Sequence, residues 1–221
     1  MKQIAVIGLG RFGMSLARSL TENKCQVVAV DSDMERVKKA QVFVAQAAQL
    51  DARDEDSLKA VGVTEMDAIV VAIGADIESS MLATMTLKDM GVSRVIVKAS
   101  SELHGRFLKK IGADQVVFPE GDSGRRLGIF LAKPGIIEQI DLGEEYGIFE
   151  IKVPDSWAGK TIAGLEVRVK YGITILAIRS SDPDEEKGFS MIISPLATQK
   201  LKAEDIVTVL GHVDEVKKIL P

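Results

Sequence analysis

Residues 3–13 read QIAVIGLGRFG, an apolar run that ends in a glycine-rich turn. The segment Arg11–Asn23 continues with apolar residues three and four apart, which is the spacing of an amphipathic helix. A strand, a GxGxxG turn and a helix in this order are typical of the unit that binds a dinucleotide. Gly8 is expected to allow the tight turn, Gly10 the close approach of a pyrophosphate, and Gly13 the packing of the helix against the sheet.

Short apolar runs alternate with helical patterns through residues 1–120. Nearly continuous apolar strands indicate a parallel sheet that helices cover on both faces. Six strands predict an α/β fold with a Rossmann-like, doubly wound parallel sheet, whose ligand lies beyond the carboxyl ends of the strands. The predicted strands are Gln3–Ile7, Val27–Val30, Val42–Ala45, Ala68–Ala72, Arg94–Val97 and Gln115–Phe118. The predicted helices are Arg11–Asn23, Asp54–Val61, Ile77–Met90 and Glu102–Ile111.

A second, smaller domain is predicted to follow a chain breaker at Lys133-Pro134-Gly135. A helix is expected from Glu120 to about Ala132, so the predicted domains are residues 1–133 and 134–221. Short strands separated by charged turns indicate a small α+β module, in which the polar hairpin loop at 180–188 is expected to be mobile. The predicted strands of this module are Gly147–Val153, Ile173–Arg179, Ser190–Ile193 and Ile206–Leu210.

Polar residues after the second predicted strand supply the next part of a candidate site. Asp31 ends that strand and can accept hydrogen bonds from a ribose diol. Ser32 and Asp33 follow it, and two carboxylates at this position disfavour the 2′-phosphate of NADP. Phe12 in the glycine-rich turn and Asp51 after the third predicted strand complete this group of candidate nucleotide ligands.

The ends of the later strands add further groups at the same edge of the sheet. Ala72-Ile73-Gly74 follows the fourth predicted strand and is expected to wall the base and the ribose. Arg11 and Lys98 are expected to face a terminal phosphate. Glu120 is the candidate ligand for a divalent cation, Mg²⁺ or Ca²⁺, because hard cations prefer carboxylate oxygen. A solvated or mutually paired Lys98 and Glu120 is the alternative.

Composition excludes several classes of function. The chain has 32 acidic and 28 basic residues, and its net charge of −4 argues against a general affinity for nucleic acid. Cys25 is the only cysteine, which excludes an intrachain disulfide and a thiolate metal cluster. Arg11 interrupts the apolar opening before it reaches the length of a membrane span, and a signal peptide's charged start and cleavage site are missing. A role at a membrane is therefore expected to depend on a partner.

Catalysis is disfavoured by the residues that the sequence lacks. His104 lies near the start of a predicted helix and His212 near the end of the last domain, so neither follows a strand end where a hydride-transfer acid or base is expected. There is no nucleophile elbow and no Walker lysine motif, and Lys98 is the one candidate catalytic group. The alternatives are an NAD(H)-binding redox sensor or NAD-dependent oxidoreductase, and a free-standing nucleotide sensor without a channel.

Segments along nearly the whole chain resemble the Ktr/Trk potassium-uptake regulators. The segments read IAVIGLGRFG, VVAIGADIESS, VIVKAS, KIGADQVVFPEGDSG, VKYGITILAIRSS and ISPLA, in that order. Members of this family join an N-terminal RCK (KTN, or TrkA-N) domain to a smaller α+β RCK-C (TrkA-C) domain. The single-copy length resembles the Ktr regulator more than the tandem Trk regulator.

The resemblance implies a cytosolic regulatory subunit, peripheral at the inner face of the cell membrane, and not an enzyme. Dimers would assemble into an octameric gating ring beneath a membrane-embedded potassium-translocating subunit. ATP and ADP would compete for the Rossmann cleft, with NAD(H) as the alternative ligand. By motif, Arg11 and Lys98 fall where relatives contact phosphate, Asp31 falls on the ribose position, and Glu120 falls where a cation can bridge neighbouring nucleotides.

The resemblance also implies a second ligand site in the C-terminal domain. RCK-C domains of several relatives bind cyclic di-AMP at their dimer interface. Arg168 would face a phosphate of that ligand, and Thr174, Ile175 and Pro195 would face the bases. A hydrophobic dimer interface without a ligand is the alternative, and the acidic loop at residues 182–187 is longer than in many relatives.

Overall fold

The computed structural model of the chain describes residues 1–132, 135–182, 185 and 188–220. They form two compact units, Met1–Asp122 and Ser123–Pro221, and the division falls inside a helix at Pro119–Ala132. The predicted helix before the breaker is therefore confirmed. Two residues of the predicted breaker, Lys133 and Pro134, lie outside the described residues, and the predicted domain boundary at 133/134 stays a prediction.

The first unit is built on a parallel sheet of six strands, as predicted. The strands are β1 (Gln3–Ile7), β2 (Gln26–Asp31), β3 (Gln46–Gln49), β4 (Ala68–Val71), β5 (Val95–Lys98) and β6 (Gln115–Val117). The helices are α1 (Arg11–Glu22), α2 (Met34–Gln41), α3 (Glu55–Ala60), α4 (Ile77–Asp89), α5 (Glu102–Lys110) and α6 (Pro119–Ala132), with a 3-10 turn at Val63–Glu65. The strand order is β3-β2-β1-β4-β5-β6. This is the doubly wound order, and the predicted fold class is confirmed.

Alternation along the central strand explains why helices cover both faces of the sheet. Ile7 of β1 packs in one core cluster with Leu58, Leu87 and Leu108, which come from α3, α4 and α5. Val6 points the other way, into a cluster that contains residues of α1 and α2. Because successive side chains of a strand face opposite sides, a strand buried on both faces must be apolar throughout. The sequence QIAVI meets this requirement.

The third strand was predicted at the wrong place. The apolar residues Val42–Ala45 follow α2, and Val42 is 83% exposed with a helical backbone conformation. Phe43 and Val44 donate their backbone N–H groups to the carbonyl of Ala40, so this run closes the helix. Strand β3 is the next segment, QAAQ, which pairs with β2 from Val28↔Gln46 to Asp31↔Gln49. Pairing with β2 outweighs the apolar character of the preceding run.

The second unit contains an antiparallel sheet of five strands with short helices. The strands are β7 (Ile136–Asp141), β8 (Tyr146–Lys152), β9 (Thr174–Ser181), β10 (Phe189–Ile193) and β11 (Ile206–His212), in the order β10-β9-β11-β8-β7. The helices are α7 (Ile162–Leu165), α8 (Val167–Tyr171) and α9 (Val213–Lys218). The smaller α+β module is confirmed, and β7 is a strand that the sequence analysis missed.

One face of this sheet carries the core of the second unit. Phe149, Ile151, Val207 and Val209 are fully buried, and Trp157 packs in the same cluster. Strands β9 and β10 pair as an antiparallel hairpin, as predicted, with Phe189↔Ser181 as the first pair. Within the predicted loop, residues 183, 184, 186 and 187 lie outside the described residues, so its expected mobility stays a prediction.

Candidate functional site

The glycine-rich turn lies at the point where the strand order reverses. Strand β1 is flanked by β2 and β4. Beyond β2 the sheet continues with β3, and beyond β4 it continues in the other direction with β5 and β6. The backbone N–H of Gly8 donates to the carbonyl of Val30 at 2.7 Å, and that of Ala72 donates to the carbonyl of Ile7 at 2.7 Å. The turn after β1 and the loop after β4 are therefore held side by side. In doubly wound sheets this is the place where ligands bind.

Two of the three glycines of the motif lie where the backbone leaves no room for a Cβ atom. Gly8 has φ +94°, and a Cβ at this position would lie 2.9 Å from the backbone nitrogen of Ile73. A Cβ at Gly13 would lie 1.8 Å from the carbonyl oxygen of Gly8. Both positions therefore confirm the predicted tight turn and the predicted helix packing.

Gly10 differs from these two glycines. A Cβ at this position would have no atom of the chain within 4 Å, and the backbone has an ordinary φ of −64°. The fold thus tolerates a side chain here. The absence of one leaves open space at the first turn of α1, which fits the close approach of a phosphate group to the backbone.

The first turn of α1 is also distinguished by its missing cap. Gly10 makes no side-chain capping bond, and the turn contains no acidic residue. The next four helices are each capped by a side chain, namely Asp33 for α2, Asp54 for α3, Asp76 for α4 and Ser101 for α5. The first N–H groups of a helix have no partner within the helix and attract anions. At α1 these donors face the open space beside Gly10.

Asp31 fastens the glycine-rich turn to the end of β2. Its side chain is 6% exposed, and Oδ2 accepts the backbone N–H of Leu9 at 2.6 Å. Its Oδ1 accepts the backbone N–H of Asp33 at 2.9 Å. The carboxylate therefore has a structural role that the sequence analysis did not predict, in addition to the predicted ribose contact. Each carboxylate oxygen accepts more than one hydrogen bond, so a ribose hydroxyl can still be accommodated.

Arg36 is a neighbour of this carboxylate that the sequence analysis missed. Its guanidinium lies 3.4 Å from both Asp31 and Asp33. Asp33 also caps α2 by accepting the backbone N–H of Glu35 at 2.8 Å. Placing α2 directly after Asp33 would have located Arg36 in the first turn of that helix, facing the ribose position. The negative charge of Asp31 and Asp33, which disfavours a 2′-phosphate, is thus partly balanced by the positive charge of Arg36.

The other two candidates near β3 have their own partners within the chain. Asp51 is exposed and forms a bidentate ion pair with Arg53, whose nitrogens lie 2.6–3.1 Å from its oxygens. The hydrogen bond from Arg53 holds the pKa of Asp51 below its usual value. The carbonyl of Ser32 accepts the side-chain amide of Gln49 at 2.8 Å. The structure therefore gives these residues local roles, and their predicted contacts with a nucleotide stay predictions.

Lys98 and Glu120 form an ion pair across the ends of β5 and α6. The ammonium of Lys98 lies 2.5 Å from a carboxylate oxygen of Glu120, and its side chain is 12% exposed. It also lies 5.7 Å from the centre of the Phe12 ring. The same side chain passes over Gly74, where a Cβ would lie 3.1 Å from the ammonium nitrogen. The structure thus brings together Lys98, Glu120, Phe12 and Gly74 at the glycine-rich turn.

This ion pair shapes the charge of the site. The hydrogen bond from Lys98 is the main cause that lowers the pKa of Glu120, and the charges of Lys98 and Arg11 add to it. Arg11 is exposed in the first turn of α1. The structure therefore shows the paired alternative from the sequence analysis. A phosphate chain that begins beside Gly10 and extends toward Lys98 would compete with Glu120 for that ammonium.

The candidate cation ligand Glu120 already has a partner within the chain. Glu120 is 70% exposed and has Lys98 as its partner. Among the residues that the structure describes, no three His, Cys, Asp or Glu side chains are grouped as metal ligands. The predicted cation contact of Glu120 stays a prediction that would require further oxygen ligands. In the same ranges, every helix is too short or too polar to cross a bilayer.

The candidate residues of the second unit are only partly brought together. Thr174 and Ile175 are neighbours on β9, but the side chain of Ile175 is 9% exposed and belongs to the core. Pro195 follows Ser194, whose N–H donates to the carbonyl of Leu176 on the same strand at 2.8 Å. Arg168 is exposed on α8 and forms no hydrogen bond or ion pair within the described chain. A shared ligand for these residues stays a prediction.

Comparisons with known proteins agree with this arrangement. The model of the TrkA-N domain matches residues 4–119, and the model of the TrkA-C domain matches residues 148–221. The chain is 38% identical to Ktr system potassium uptake protein C of Bacillus subtilis, over 98% of this chain and 95% of that protein. It is 35% identical to Ktr system potassium uptake protein A of Vibrio alginolyticus, over 97% of this chain and 94% of that protein.

Solved structures show the same fold at lower sequence identity. The GsuK channel is similar with a TM-score of 0.69 and 20% identity, over 97% of this chain. The chain spans 38% of the length of that channel. A GsuK channel bound to NAD gives a TM-score of 0.53 and 22% identity, over 99% of this chain and 38% of that chain. A structure of GsuK bound to ADP gives a TM-score of 0.50 and 20% identity, over 58% of this chain and 34% of that chain.

The domain matches and the relatives agree in order and extent. Both Ktr proteins align with this chain along almost their full length. Their identities of 38% and 35% over that length are high enough to show a shared family. This chain therefore belongs to the family of Ktr potassium-uptake proteins, which join a TrkA-N domain to a TrkA-C domain.

Proposed function

We propose that this chain is the nucleotide-controlled regulatory subunit of a bacterial potassium-uptake channel, and that it acts as a gating ring without catalysing a reaction. The observation that carries the proposal is the uncapped first turn of α1, which opens beside Gly10, contains Arg11 and has Lys98 5.7 Å from its Phe12 ring. The role in potassium uptake is inferred from the family, and the control by a nucleotide is inferred from the site. The membrane-embedded potassium-translocating protein is the proposed partner, which places the chain in the cytoplasm at the inner face of the membrane.

Adenine nucleotides are the ligands that the site fits best. The first turn of α1 receives the phosphates, and the acceptor position that Leu9, Asp33 and Arg36 leave on the Asp31 carboxylate receives a ribose hydroxyl. Ala72, Ile73 and Gly74 form the wall on the other side of the turn. Asp51, Ser32 and Asp33 lie on the side of the base and ribose, where Arg36 adds a cation.

The ion pair of Lys98 and Glu120 offers a way to distinguish ATP from ADP. A longer phosphate chain brings a further negative charge toward Arg11 and Lys98. Lys98 then exchanges Glu120 for phosphate, and the released carboxylate becomes available to a divalent cation, Mg²⁺ or Ca²⁺. A ligand shifts an equilibrium between two ring shapes only if it binds one of them better. The exchange at Lys98 provides that difference between ATP and ADP.

NAD(H) is the second candidate ligand, because it presents the same adenosine and pyrophosphate. The GsuK channel that is bound to NAD shares the fold, although at 22% identity the likeness extends to the fold alone. A redox enzyme would in addition need an acid or base near the nicotinamide. His104 is 2% exposed and His212 caps α9, so neither is available for that purpose.

A second ligand, cyclic di-AMP, is proposed for the C-terminal unit. Arg168 is an exposed cation without an ion pair in the described chain. Thr174 begins β9, and Pro195 follows Ser194, whose N–H donates to Leu176 of the same strand. Ile175 would contribute its backbone, since its side chain lies in the core. Two copies of the unit would be needed to enclose a ligand with two bases.

Light scattering of the purified chain tests the ring. With ATP we expect the mass of an octamer, eight times the 23.9 kDa of one chain. With ADP we expect the same mass and a different radius. A mass of one or two chains with both nucleotides would contradict the gating ring and favour a free-standing sensor. Oxidation of NADH by the purified chain would favour an oxidoreductase.

A further inference from the structure

His104 is a buried polar residue that none of the roles above uses. It lies in the first turn of α5, and it is 2% exposed. Its Nδ1 accepts the backbone N–H of Ser100 at 3.2 Å, and the hydroxyl of Ser100 lies 3.2 Å from the same nitrogen. Its Nε2 is buried without a hydrogen-bond partner among the described residues. One nitrogen of the ring is thus engaged and the other is not.

The hydrogen bond fixes the protonation of the ring. A backbone N–H can only donate, so Nδ1 must be unprotonated and the ring proton lies on Nε2. Burial lowers the pKa of His104, which favours the same neutral form. Retaining an imidazole whose second nitrogen has no partner is costly in a buried place. That cost points to a specific need for an acceptor at the position of Nδ1.

Ser100, whose backbone N–H bonds to Nδ1 of His104, is close in the chain to Lys98, the proposed phosphate contact. Ser100 follows Lys98 by two positions, and Ala99 between them is 2% exposed, with its N–H donated to the carbonyl of Val117 at 2.9 Å. The loop from β5 to α5 is therefore tied on one side to β6 and on the other to the His104 ring. Lys98 is the last residue of β5 and pairs with Val117 of β6, so both ties hold the backbone that directly follows it.

Gly105, the next residue of α5, packs against Phe118 in the segment that leads to Glu120. A Cβ at Gly105 would lie 2.5 Å from the ring of Phe118, so the helix packs closely on this side chain. Phe118 precedes Pro119 and Glu120 in the chain. The start of α5 thus lies between the segment that carries Lys98 and the segment that carries Glu120.

We propose that His104 is a positioning residue for the terminal-phosphate contact, because its Nδ1 holds the Ser100 backbone so that Lys98 is directed at the glycine-rich turn. The inference rests on the proposed nucleotide-binding function and deepens it. It assigns to a buried histidine the task of presenting a cation that lies six residues earlier in the chain. The hydrogen-bond acceptor at Nδ1 is the feature that matters, and the charge of the ring is not.

Three substitutions separate this role from general packing. Asparagine can place an acceptor near the position of Nδ1, so His104→Asn should retain the tie to Ser100. Glutamine places its polar group near the position of Nε2, so His104→Gln should lose the tie while keeping a polar side chain. His104→Leu removes both. Ser101→Ala is the matched control, because it deletes the hydroxyl that accepts the backbone N–H of His104 and keeps both partners of the ring contact, Nδ1 and the N–H of Ser100.

Calorimetric titration with ATP and with AMP gives the decisive readout. We expect His104→Asn to bind ATP within about threefold of the unchanged chain, and His104→Gln and His104→Leu to bind it about tenfold more weakly, as one lost positioned contact would predict. AMP affinity should stay the same in all variants, because the proposal assigns Lys98 to the terminal phosphate of ATP, which AMP lacks. Ser101→Ala should leave the affinities for ATP and AMP unchanged.

Other outcomes would overturn the inference. Equal ATP affinity in all variants, or an equal loss in His104→Asn and His104→Gln, would exclude a role for the Nδ1 acceptor. A parallel loss of ATP and AMP affinity would show a general disturbance of the site. If His104→Leu does not fold, the comparison of asparagine with glutamine still decides. Failure of the unchanged chain to bind ATP would instead overturn the proposed function, and the inference with it.

Discussion

The first turns of α1 and α4 lie at the same edge of the sheet, yet they begin in opposite ways. Helix α4 starts with Asp76, whose carboxylate accepts the N–H of Ser79 at 3.1 Å and its hydroxyl at 2.6 Å. Helix α1 starts with Gly10, which makes no capping bond and leaves open space. At α4 the chain's own carboxylate accepts a backbone donor of the first turn, and at α1 no side chain does so. The difference supports the proposal that an external anion binds at the first turn of α1.

The comparison also separates the two kinds of glycine in one turn. Gly13 is fixed by the fold, because a Cβ there would overlap the carbonyl of Gly8. Gly10 has no such constraint within the chain. A glycine that the fold does not need, at a helix start that the chain does not cap, is best explained by a ligand that approaches the backbone closely.

The largest effect is expected for the glycine that the fold requires. Gly13→Ala places a Cβ 1.8 Å from the carbonyl oxygen of Gly8, so α1 must move away from the turn. We expect a loss of about 3 kcal/mol or more in the free energy of unfolding, measured by urea denaturation. An unchanged unfolding midpoint would show that the turn is not as tightly packed as described.

A smaller loss is expected when the turn is released from β2. Asp31→Asn replaces a buried carboxylate that accepts the N–H groups of Leu9 and Asp33. An amide can accept at one of these positions only and presents donors at the other. We expect a loss of about 2 kcal/mol in urea denaturation. Arg36→Gln is the control, because its contacts are 3.4 Å long and half exposed, and it should unfold almost as the unchanged chain does.

The capped helix provides the contrast with α1. Asp76→Ala removes the cap of α4 and should lower the free energy of unfolding by about 1 kcal/mol. Since α4 keeps its donors for its own cap, we expect the ATP affinity to stay the same. A strong loss of ATP affinity in this variant would mean that both helix starts serve the ligand, which would remove the contrast.

The smallest effect on stability is expected at the ion pair. Glu120 is 70% exposed, so Glu120→Gln should change the free energy of unfolding by less than about 1 kcal/mol. The pKa of Glu120 is lowered in the folded chain, so its contribution is present above the ordinary value of 4.5 and is lost as the pH falls through the folded value. Unfolding measured at pH 7 and at pH 3 should show a smaller difference between the two chains at pH 3 than at pH 7.

Much of the first unit could be predicted from the sequence, because its signals are local. Buried parallel strands are apolar throughout, and the spacing of the three glycines reports the turn directly. The error at β3 has a physical cause. The apolar run VFVA closes α2, and the real strand, QAAQ, is selected by pairing with β2 rather than by its own composition.

The candidate site was predictable in location but not in its internal contacts. Strand ends placed Lys98 and Glu120 at one edge, and the structure shows them paired. The tie between Asp31 and Leu9, and the burial of His104 against Ser100, depend on side-chain directions that spacing does not report. β7 was missed because its polar residues Glu138 and Gln139 mask an edge strand that is only partly buried.

Calorimetric titration of ATP into the unchanged chain and into Gly10→Ala tests the central claim most directly. The substitution meets no atom of the chain within 4 Å, so the variant should fold with a free energy of unfolding within about 1 kcal/mol of the unchanged chain. It fills the space proposed for the phosphates, so we expect ATP affinity to fall by about a hundredfold, a difference of about 3 kcal/mol in binding. Equal ATP affinity in the two chains would contradict a phosphate site at the first turn of α1.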